Sequence, residues 1–380
     1  MDFDPDLEQR MIKDSARKFF TDWCPTGAVL KMAETEGTCP GQMWQGMADL
    51  GWMGIPFPEE YGGLGMGFLE LSMVLEEMGR VALPGPFFPS VVMAGLTVLL
   101  GGTDAQKRQW LPSIADGTCK ATVALYEPDG RFLPDGLATR AVKTADGFVL
   151  TGVKLFVLAG DEADLIICPA SGDDGSVSLY LLEAGTAGLS PTRLPTLDIT
   201  RPMSELKLDQ VVVPLSHRLG EPGRGNEVLS RMTDYAAVAL GVEMLGGTQK
   251  VLEMTVDYAK QRVQFGKPIG SYQAIKHKCA DLHVRAATAD AAVRYAAWTA
   301  DQALKGEDVR LGYTASVAKV FGQQSFYRTA ADSVQIHGGI GFTWEYELHL
   351  YLKRAKGAEA MFGDETFHRE RVMQQGSEQQ

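Results

Sequence analysis

The sequence predicts an α+β protein in three consecutive parts: an N-terminal helical domain, a middle antiparallel β domain and a C-terminal four-helix bundle. Apolar residues recur at helical spacing before about residue 120, alternate with a period of two between about 121 and 219, and return to helical spacing from residue 227. Helices that are kept apart from the strands along the chain are typical of the α+β class. We expect the domains to span residues 1–120, 121–224 and 225–380.

The first domain is predicted from helical stretches on either side of a loop. Leu71, Val74, Leu75 and Met78 follow helical spacing without a gap. Residues 51–65 are rich in glycine and proline, which permit no regular element. Such a loop either connects two helices or packs on a functional site, and composition alone favours the connector.

The middle domain is predicted from alternating segments. Strand-like alternation covers residues 148–157, 165–168, 177–182 and 204–213. Turn sequences, among them Asp146–Gly147, separate these segments. The pattern predicts an antiparallel module.

The bundle is predicted from four long periodic stretches, which cover residues 228–262, 271–304, 308–334 and 345–361. Long helices joined by short connections pack as antiparallel neighbours.

Composition narrows the class of protein. The chain has 380 residues, a formal net charge of -12 and 22% charged residues, which is ordinary for a soluble globular protein. The acidic balance argues against nucleic acid as a partner, and no apolar run approaches the length of a membrane span. The five cysteines are scattered and form no Cys-x-x-Cys pair, so neither a disulfide framework nor a metal site is expected. The acidic residues after Met1 do not have the pattern of a secretory leader, so we expect no leader and a cytoplasmic protein.

One motif in the C-terminal third combines a cation with an aromatic ring. The guanidinium fork of Arg262 matches phosphate oxygens. Phe265 offers a ring face, and Gly266 is expected to end the first bundle helix. The alternative is an exposed arginine and a core phenylalanine at a helix end.

A second motif runs from Gln335 to Phe342, after a helix that we expect to end near Ser333. Gly338 and Gly339 allow a ligand to approach the backbone closely, and their N–H groups can donate to ligand oxygens. The alternative is a glycine-rich connector between the last two helices of the bundle.

Taken with residues 54–65, 270–276 and 315–319, the two motifs occur in the order and spacing of the acyl-CoA dehydrogenase family, which the chain resembles over nearly its whole length. The resemblance implies FAD, shared between two chains at a dimer interface. It implies that the adenine half of a neighbour's FAD is held by Arg262, Phe265, Gln335, Gly338 and Gly339. Members of the family oxidise acyl-CoA thioesters to 2-enoyl-CoA: a carboxylate removes the α proton while the β hydride goes to the flavin.

The flavin motifs of the β domain differ from the family's pattern. The family's Thr-Glu-Pro-Gly-x-Gly-Ser-Asp reads Tyr126-Glu-Pro-Asp-Gly-Arg-Phe132 here, so Glu127 is kept and the hydroxyl donors are lost. The family's Lys-x-Trp-Ile-Thr-Asn reads Lys154-Leu-Phe-Val-Leu-Ala159. Phe156 can still stack on a ring, whereas Leu158 has no side-chain donor. The resemblance implies that Glu127 and Phe156 serve the flavin.

The catalytic base departs further from the family. Most members place a glutamate in a Tyr-Glu-Gly-Thr loop after the last bundle helix, where this chain has Phe362, with Asp364 at the threonine position. A minority place it on the first bundle helix, at the position of Ala236. Glu243 lies two helical turns beyond Ala236 on the same face, so Glu243 and Asp364 are the candidate bases. Glu243 is alternatively the buried partner of a cation on a neighbouring helix, and Asp364 a loop cap or a contact to the flavin ribityl chain.

Two positions are implied to bind coenzyme A. Asp234 matches an acid near the start of the first bundle helix that contacts CoA, and Arg310 matches an arginine that meets the CoA phosphates. The alternatives are a charge near a helix N-terminus for Asp234 and a solvated position for Arg310.

Three functions follow from the resemblance. The first is a self-sufficient acyl-CoA dehydrogenase that passes electrons to an electron-transfer flavoprotein. The second is a non-catalytic subunit that completes the FAD site of a base-bearing partner, because the chain is similar to the smaller, base-poor subunit of heteromeric members. The third is a flavin-dependent monooxygenase on the same fold, which needs no base. Each predicts an oligomer: a homotetramer, or a heterotetramer with a homologous subunit.

Overall fold

The structure, a computed structural model, describes residues 5–35, 38–130 and 137–377. It has the predicted order of helices, sheet and helices, and this confirms the fold class. Among the described residues, no helix is both long enough and apolar enough to cross a membrane.

The N-terminal part consists of helices around an apolar core. Its helices are α1 (Leu7–Trp23), α2 (Ala28–Thr35), α3 (Gly41–Asp49), α4 (Phe68–Arg80), a π-helical segment (Phe88–Gly95), α5 (Leu96–Gly101) and α6 (Asp104–Ala115). Capping boxes fix the starts of α1 and α6, because Asp6 and Thr103 accept from the N–H groups of Gln9 and Gln106. The loop at residues 51–65 buries Ile55 and Phe57 in the core, as a packed connector does.

The middle part is one mixed sheet. Its strands are β1 (Ala121–Val123), β2 (Arg140–Lys143), β3 (Gly147–Leu158), β4 (Leu165–Ser171), β5 (Val177–Glu183), β6 (Leu189–Leu194), β7 (Met203–Pro214) and β8 (Arg218–Leu219), in the order β6-β7-β3-β2-β4-β5-β8, with β1 paired to β4. We expected a purely antiparallel sheet, but two of the strand pairs are parallel. The short strands β1 and β2 lie end to end along one edge of β4 and run parallel to it.

The C-terminal part contains the four predicted bundle helices and one more. They are α7 (Gly225–Gln261), α8 (Gln273–Leu304), α9 (Leu311–His337), α10 (Leu348–Glu359) and the additional α11 (Glu365–Ser377). Two small strands, β9 (Val263–Gln264) and β10 (Lys267–Pro268), form a hairpin between α7 and α8.

Backbone contact between α4 and α7 places Glu243. A Cβ atom at Gly79 would lie 2.0 Å from the carbonyl oxygen of Glu243, and one at Gly246 would lie 1.9 Å from that of Glu76. Only glycine fits at these two positions without displacing backbone. Glu243 is therefore fixed where α7 crosses α4.

Candidate active site

The Arg262 motif forms a hairpin at the end of α7. The helix ends at Gln261 and Arg262 is its C-cap residue. Phe265 and Gly266 occupy the turn between β9 and β10, with φ of 50° and 80°, and two positive φ angles are typical of a type I′ turn. Gly266 thus serves the hairpin turn, and the expectation that it ends the helix was wrong because the helix stops earlier.

The residues expected to hold adenine are open to solvent. The side chain of Phe265 is 92% exposed, and Arg262 and Gln335 are also exposed. Among the described residues other than the direct chain neighbours, none has an atom within 4 Å of a Cβ built at Gly338 or Gly339. The described residues therefore leave space around both glycines. An exposed aromatic ring and a bare backbone each suit a ligand that approaches from outside.

A ring stack brings the two motifs to the same end of the bundle. The rings of Tyr258 on α7 and His337 on α9 are stacked with centroids 4.3 Å apart. The Tyr258 hydroxyl donates to the carbonyl oxygen of His337 at 3.3 Å. Arg262 lies about one helical turn after Tyr258, and Gly338 directly follows His337.

Glu127 is turned into the β domain. Its carboxylate accepts from the Lys154 ammonium at 2.7 Å and from the N–H groups of Ala138 and Thr139 at 2.6 and 3.1 Å. Burial opposes its charge, but the Lys154 ammonium and these hydrogen bonds outweigh burial and lower the pKa of Glu127. The geometry is that of an internal ion pair that fixes the start of β2.

Phe156 presents its ring outward from a bulge in β3. The register between β3 and β7 shifts between Lys154 and Val157, φ at Phe156 is 53°, and its side chain is 51% exposed. The bulge turns an apolar ring to solvent, as stacking on a planar group requires. Leu158 is buried, and Arg131 and Phe132 lie outside the described residues.

Phe362, at the position where the resemblance implies a base in most of the family, is a buried ring. It is 1% exposed and stacks on Phe88 with centroids 5.9 Å apart. Its N–H donates to the Tyr126 hydroxyl at 2.8 Å, and burial raises the pKa of Tyr126 to about 12. Phe362 therefore makes an apolar side-chain contact and a backbone hydrogen bond here, and its side chain cannot act as a base.

The buried side chains of Lys319 and His368 hold the loop that carries Phe362 by hydrogen bonds to its carbonyl oxygens. The Lys319 Nζ donates to the carbonyl oxygens of Glu359 and Gly363 at 3.1 and 3.0 Å and to Gln323 Oε1 at 3.1 Å. His368 Nε2 lies 2.9 Å from the carbonyl oxygen of Phe362, and donates to it. Burial lowers the pKa of Lys319 to about 7, and burial together with Lys319 lowers that of His368 to about 4.

Asp364 has the geometry of a cap. It is exposed, and its Oδ1 accepts from the N–H of Phe367 at 2.8 Å at the start of α11. This contact matches the loop-cap alternative for Asp364.

Glu243 is buried and forms an ion pair with Arg201. The Arg201 Nη2 donates to Glu243 Oε2, and both side chains are less than a tenth exposed. The geometry agrees with the alternative of a buried partner, except that the cation comes from the connection between β6 and β7 and not from a neighbouring helix. Sequence reasoning missed Arg201 because no spacing rule links this connection to α7.

A small cavity, which we call the junction cavity, lies where the three parts of the chain meet. Its walls include Leu83, Phe87, Phe88, Leu158, Thr200, Arg201, Glu243 and Arg354. It holds about 20 Å³, room for roughly one water molecule. Phe88 lines the cavity and stacks on Phe362. A cavity of this size cannot hold an acyl chain, so side chains must move before one can enter.

The two candidate CoA residues both contact α11. Both guanidinium Nη atoms of Arg371 donate to the Asp234 carboxylate, and burial raises the pKa of Asp234 against the effect of Arg371. Arg310 is exposed and donates to the carbonyl oxygen of Gln375. Asp234 is thus already paired, whereas the exposed Arg310 guanidinium lies over the Tyr313 ring, 4.4 Å from its centroid, and keeps part of its edge open to solvent.

Comparison with known proteins identifies the class of protein to which this fold and site belong. The model of the acyl-CoA dehydrogenase C-terminal domain matches residues 223–376, and that of the N-terminal domain matches residues 6–118. Together they cover well over half of the chain. The chain belongs to the acyl-CoA dehydrogenase family: FAD-dependent oxidoreductases that act on CH–CH groups.

Individual relatives match over nearly the whole chain. The probable acyl-CoA dehydrogenase YngJ of Bacillus subtilis (strain 168) is 31% identical, over 97% of this chain and 98% of its own length. The solved butyryl-CoA dehydrogenase of Megasphaera elsdenii has a TM-score of 0.90 at 27% identity, with 100% of both chains covered. A chain solved in work on the electron transferring flavoprotein of Acidaminococcus fermentans has a TM-score of 0.90 at 28% identity, with 98% of both chains covered.

Proposed function

We propose that the chain converts an acyl-CoA thioester to the 2-enoyl-CoA by FAD-dependent α,β-dehydrogenation and passes the electrons to an electron-transfer flavoprotein. The observation that carries the proposal is Glu243, a buried carboxylate in the wall of the junction cavity, one aromatic ring away from Phe362. Family membership supplies the reaction class, and likeness to a chain solved in work on an electron transferring flavoprotein supports the acceptor.

The residues present fit FAD. The exposed Phe265 and Gln335, the Arg262 guanidinium and the open backbone at Gly338 and Gly339 suit the adenine half of a neighbour's FAD. The exposed ring of Phe156 suits the flavin. When bound, FAD supplies two-electron oxidation of the Cα–Cβ bond. A cofactor shared in this way requires at least two chains, in a homotetramer or in a heterotetramer with a homologous subunit.

We assign removal of the α proton to Glu243. Asp364 is exposed and caps α11, so it is the weaker of the two candidates. Glu243 must bring its other carboxylate oxygen, Oε1, to the substrate's α carbon while Oε2 keeps its contact with Arg201, because a base has to reach the proton that it removes. The apolar ring of Phe88 lies in the same cavity wall as this carboxylate.

For the CoA moiety we propose Arg310 and the Asp234–Arg371 pair. The Arg310 guanidinium can bind phosphate oxygens from its open side. Arg371 is the more exposed member of its pair, so Asp234 would act through Arg371 by fixing its position.

The test is anaerobic mixing of the FAD-loaded protein with acyl-CoA thioesters of increasing length, followed by the flavin absorbance. We expect the 450 nm band, roughly the position of any oxidised flavin, to bleach as enoyl-CoA forms. Flavin that stays oxidised with every thioester, in a protein that binds them, would contradict the proposal and point to a base on a partner subunit.

A further inference from the structure

Arg201 has donor capacity left over at the junction cavity. Its Nη2 donates to Glu243, while its Nη1 faces the sulfur of Met361 at 3.2 Å. A thioether is a weak acceptor. Among the residues that the structure describes, no oxygen accepts from Nη1, so this buried donor is poorly satisfied.

The second guanidinium of the cavity differs in this respect. The Arg354 Nη1 and Nη2 donate to the carbonyl oxygen of Leu83 at 3.0 and 2.9 Å, and Nη1 also donates to Thr200 Oγ1 at 2.9 Å. These contacts tie α10 to the N-terminal helices and to the sheet. Both Nη atoms of Arg354 thus donate to oxygens of the protein. Of the two arginines, Arg201 is the one with a donor left for a ligand.

The charges around the cavity determine what that partner can be. Arg201 and Arg354 are balanced by Glu243 and by Asp198, which lies 3.8 Å from the Arg354 Nε. A further carboxylate would add an uncompensated negative charge in a buried site, which is strongly unfavourable. A carbonyl or hydroxyl oxygen accepts a hydrogen bond without adding charge.

Apart from Thr200, whose hydroxyl donates to Asp198 and accepts from Arg354, the side chains in the rest of the lining are apolar. Leu83, Phe87, Phe88 and Leu158 provide no hydrogen-bonding side chain. Met361, which now faces Nη1, has a flexible side chain that can give way to a ligand. The lining therefore suits an apolar acyl group that carries one neutral oxygen.

We propose that Arg201 is a specificity-determining residue that donates, through Nη1, to a neutral carbonyl or hydroxyl oxygen on the acyl group of the substrate. The inference rests on the proposed function, since it requires that the acyl group enter the junction cavity past Phe362. The preferred substrates are keto- or hydroxyacyl-CoA thioesters, ahead of unsubstituted acyl-CoA and of thioesters with a second carboxylate.

The test is a set of dissociation constants, measured by calorimetry on the FAD-loaded protein. The ligands are acyl-CoA thioesters of one length that end in a methyl, a hydroxyl, a keto or a carboxylate group, with the oxygen moved along the chain. We expect the best hydroxyl or keto ligand to bind at least roughly 10-fold more tightly than the methyl and carboxylate ligands, which is the effect of one hydrogen bond to a charged donor.

Two variants locate the effect. Arg201→Met should abolish the preference, whereas Arg193→Met, which removes an arginine 41% exposed on β6, should keep it. The wild-type ligand series decides the proposal even if Arg201→Met does not fold. A preference that survives in folded Arg201→Met would overturn it.

The outcomes separate this inference from the proposed function. If the methyl ligand binds as tightly as the oxygenated ones, or the carboxylate ligand binds most tightly, the inference is wrong. Bleaching of the flavin by the methyl ligand in the same samples would still support dehydrogenation. If the oxygenated ligands bind most tightly and no ligand bleaches the flavin, Arg201 recognition is supported and the proposed reaction is overturned. Absence of binding by every ligand would overturn both.

Discussion

The ammonium of Lys319 lies 3.0 Å from the carbonyl oxygen of Gly363 and 3.1 Å from that of Glu359, so one buried cation holds both ends of the loop that carries Phe362. Three acceptors around Nζ match the three donors of a charged lysine. Burial disfavours the charged ammonium, however, and lowers the pKa of Lys319 to about 7. The charge that fixes this loop is therefore close to titrating at neutral pH.

The first prediction concerns the stability of the protein above neutral pH. The ordinary pKa of lysine is 10.5 and that of folded Lys319 is about 7. Between these values the unfolded chain binds a proton that the folded chain does not, so this contribution to stability rises with pH from about 7 to about 10.5 and is flat below pH 7. We expect Lys319→Met to remove the rise, as measured by urea unfolding at several pH values. Lys305→Met, at an exposed lysine, should keep it, and an unchanged profile in Lys319→Met would contradict the assignment.

The second prediction concerns acid. The pKa of folded His368 is about 4, against an ordinary 6.5. The unfolded chain binds the extra proton between these values, so the contribution is complete above pH 6.5 and is lost as pH falls towards 4, by roughly 3 kcal/mol. We expect His368→Gln to have a lower melting temperature than wild type at pH 7.5 and a smaller difference from it at pH 5. His283→Gln, at an exposed histidine, is the control, and a constant difference at both pH values would refute the role of His368.

The third prediction concerns the base. Glu243→Gln should keep FAD and lose turnover by roughly 100-fold or more, the usual range for loss of a general base. The neutral amide also leaves Arg201 without its counter-charge, and the free energy of unfolding should fall by about 3 kcal/mol. Glu253→Gln, at an exposed glutamate on the same helix, should change neither. Full turnover in Glu243→Gln would contradict this assignment and would mean that the base is another residue or belongs to a partner subunit.

The fourth prediction concerns the shared cofactor. Arg262→Ala should release FAD at least roughly 10-fold more readily, because a charged hydrogen bond to phosphate is lost. Its stability without FAD should stay within about 0.5 kcal/mol of wild type, since Arg262 is exposed. Equilibrium dialysis of FAD measures the first effect, and thermal unfolding of the flavin-free protein measures the second. Lys260→Ala, on the last turn of α7, is the matched control; equal FAD loss in both variants would mean a general effect of charge.

Local patterns in the sequence predicted what depends on neighbours in the chain. The helices of the bundle follow from their periodicity, and the exposure of Phe265 and Gln335 agrees with motifs that serve a ligand from outside. The role of Gly266 was misjudged because one positive-φ glycine fits both a helix end and a hairpin turn. The parallel pairing of β1 and β2 with β4 depends on contacts that alternation does not report.

Long-range ion pairs were beyond sequence reasoning. The Arg201–Glu243 pair joins a connection in the sheet to α7, and the Arg371–Asp234 pair joins α11 to α7. Each arginine looks like an ordinary surface cation in the sequence. Lys319 lies in the segment 315–319 that contributed to the resemblance. Its burial and its hydrogen bonds to the Phe362 loop depend on the packing of α9 against α10, which the sequence does not report.

The most direct test of the central claim is anaerobic titration of the FAD-loaded wild-type protein with acyl-CoA thioesters, including keto- and hydroxyacyl-CoA. Flavin absorbance and product mass are recorded together. The account predicts that the flavin bleaches with formation of one enoyl-CoA per flavin reduced. A protein that binds both FAD and the thioesters, yet leaves the flavin oxidised and the thioesters unchanged, would contradict it.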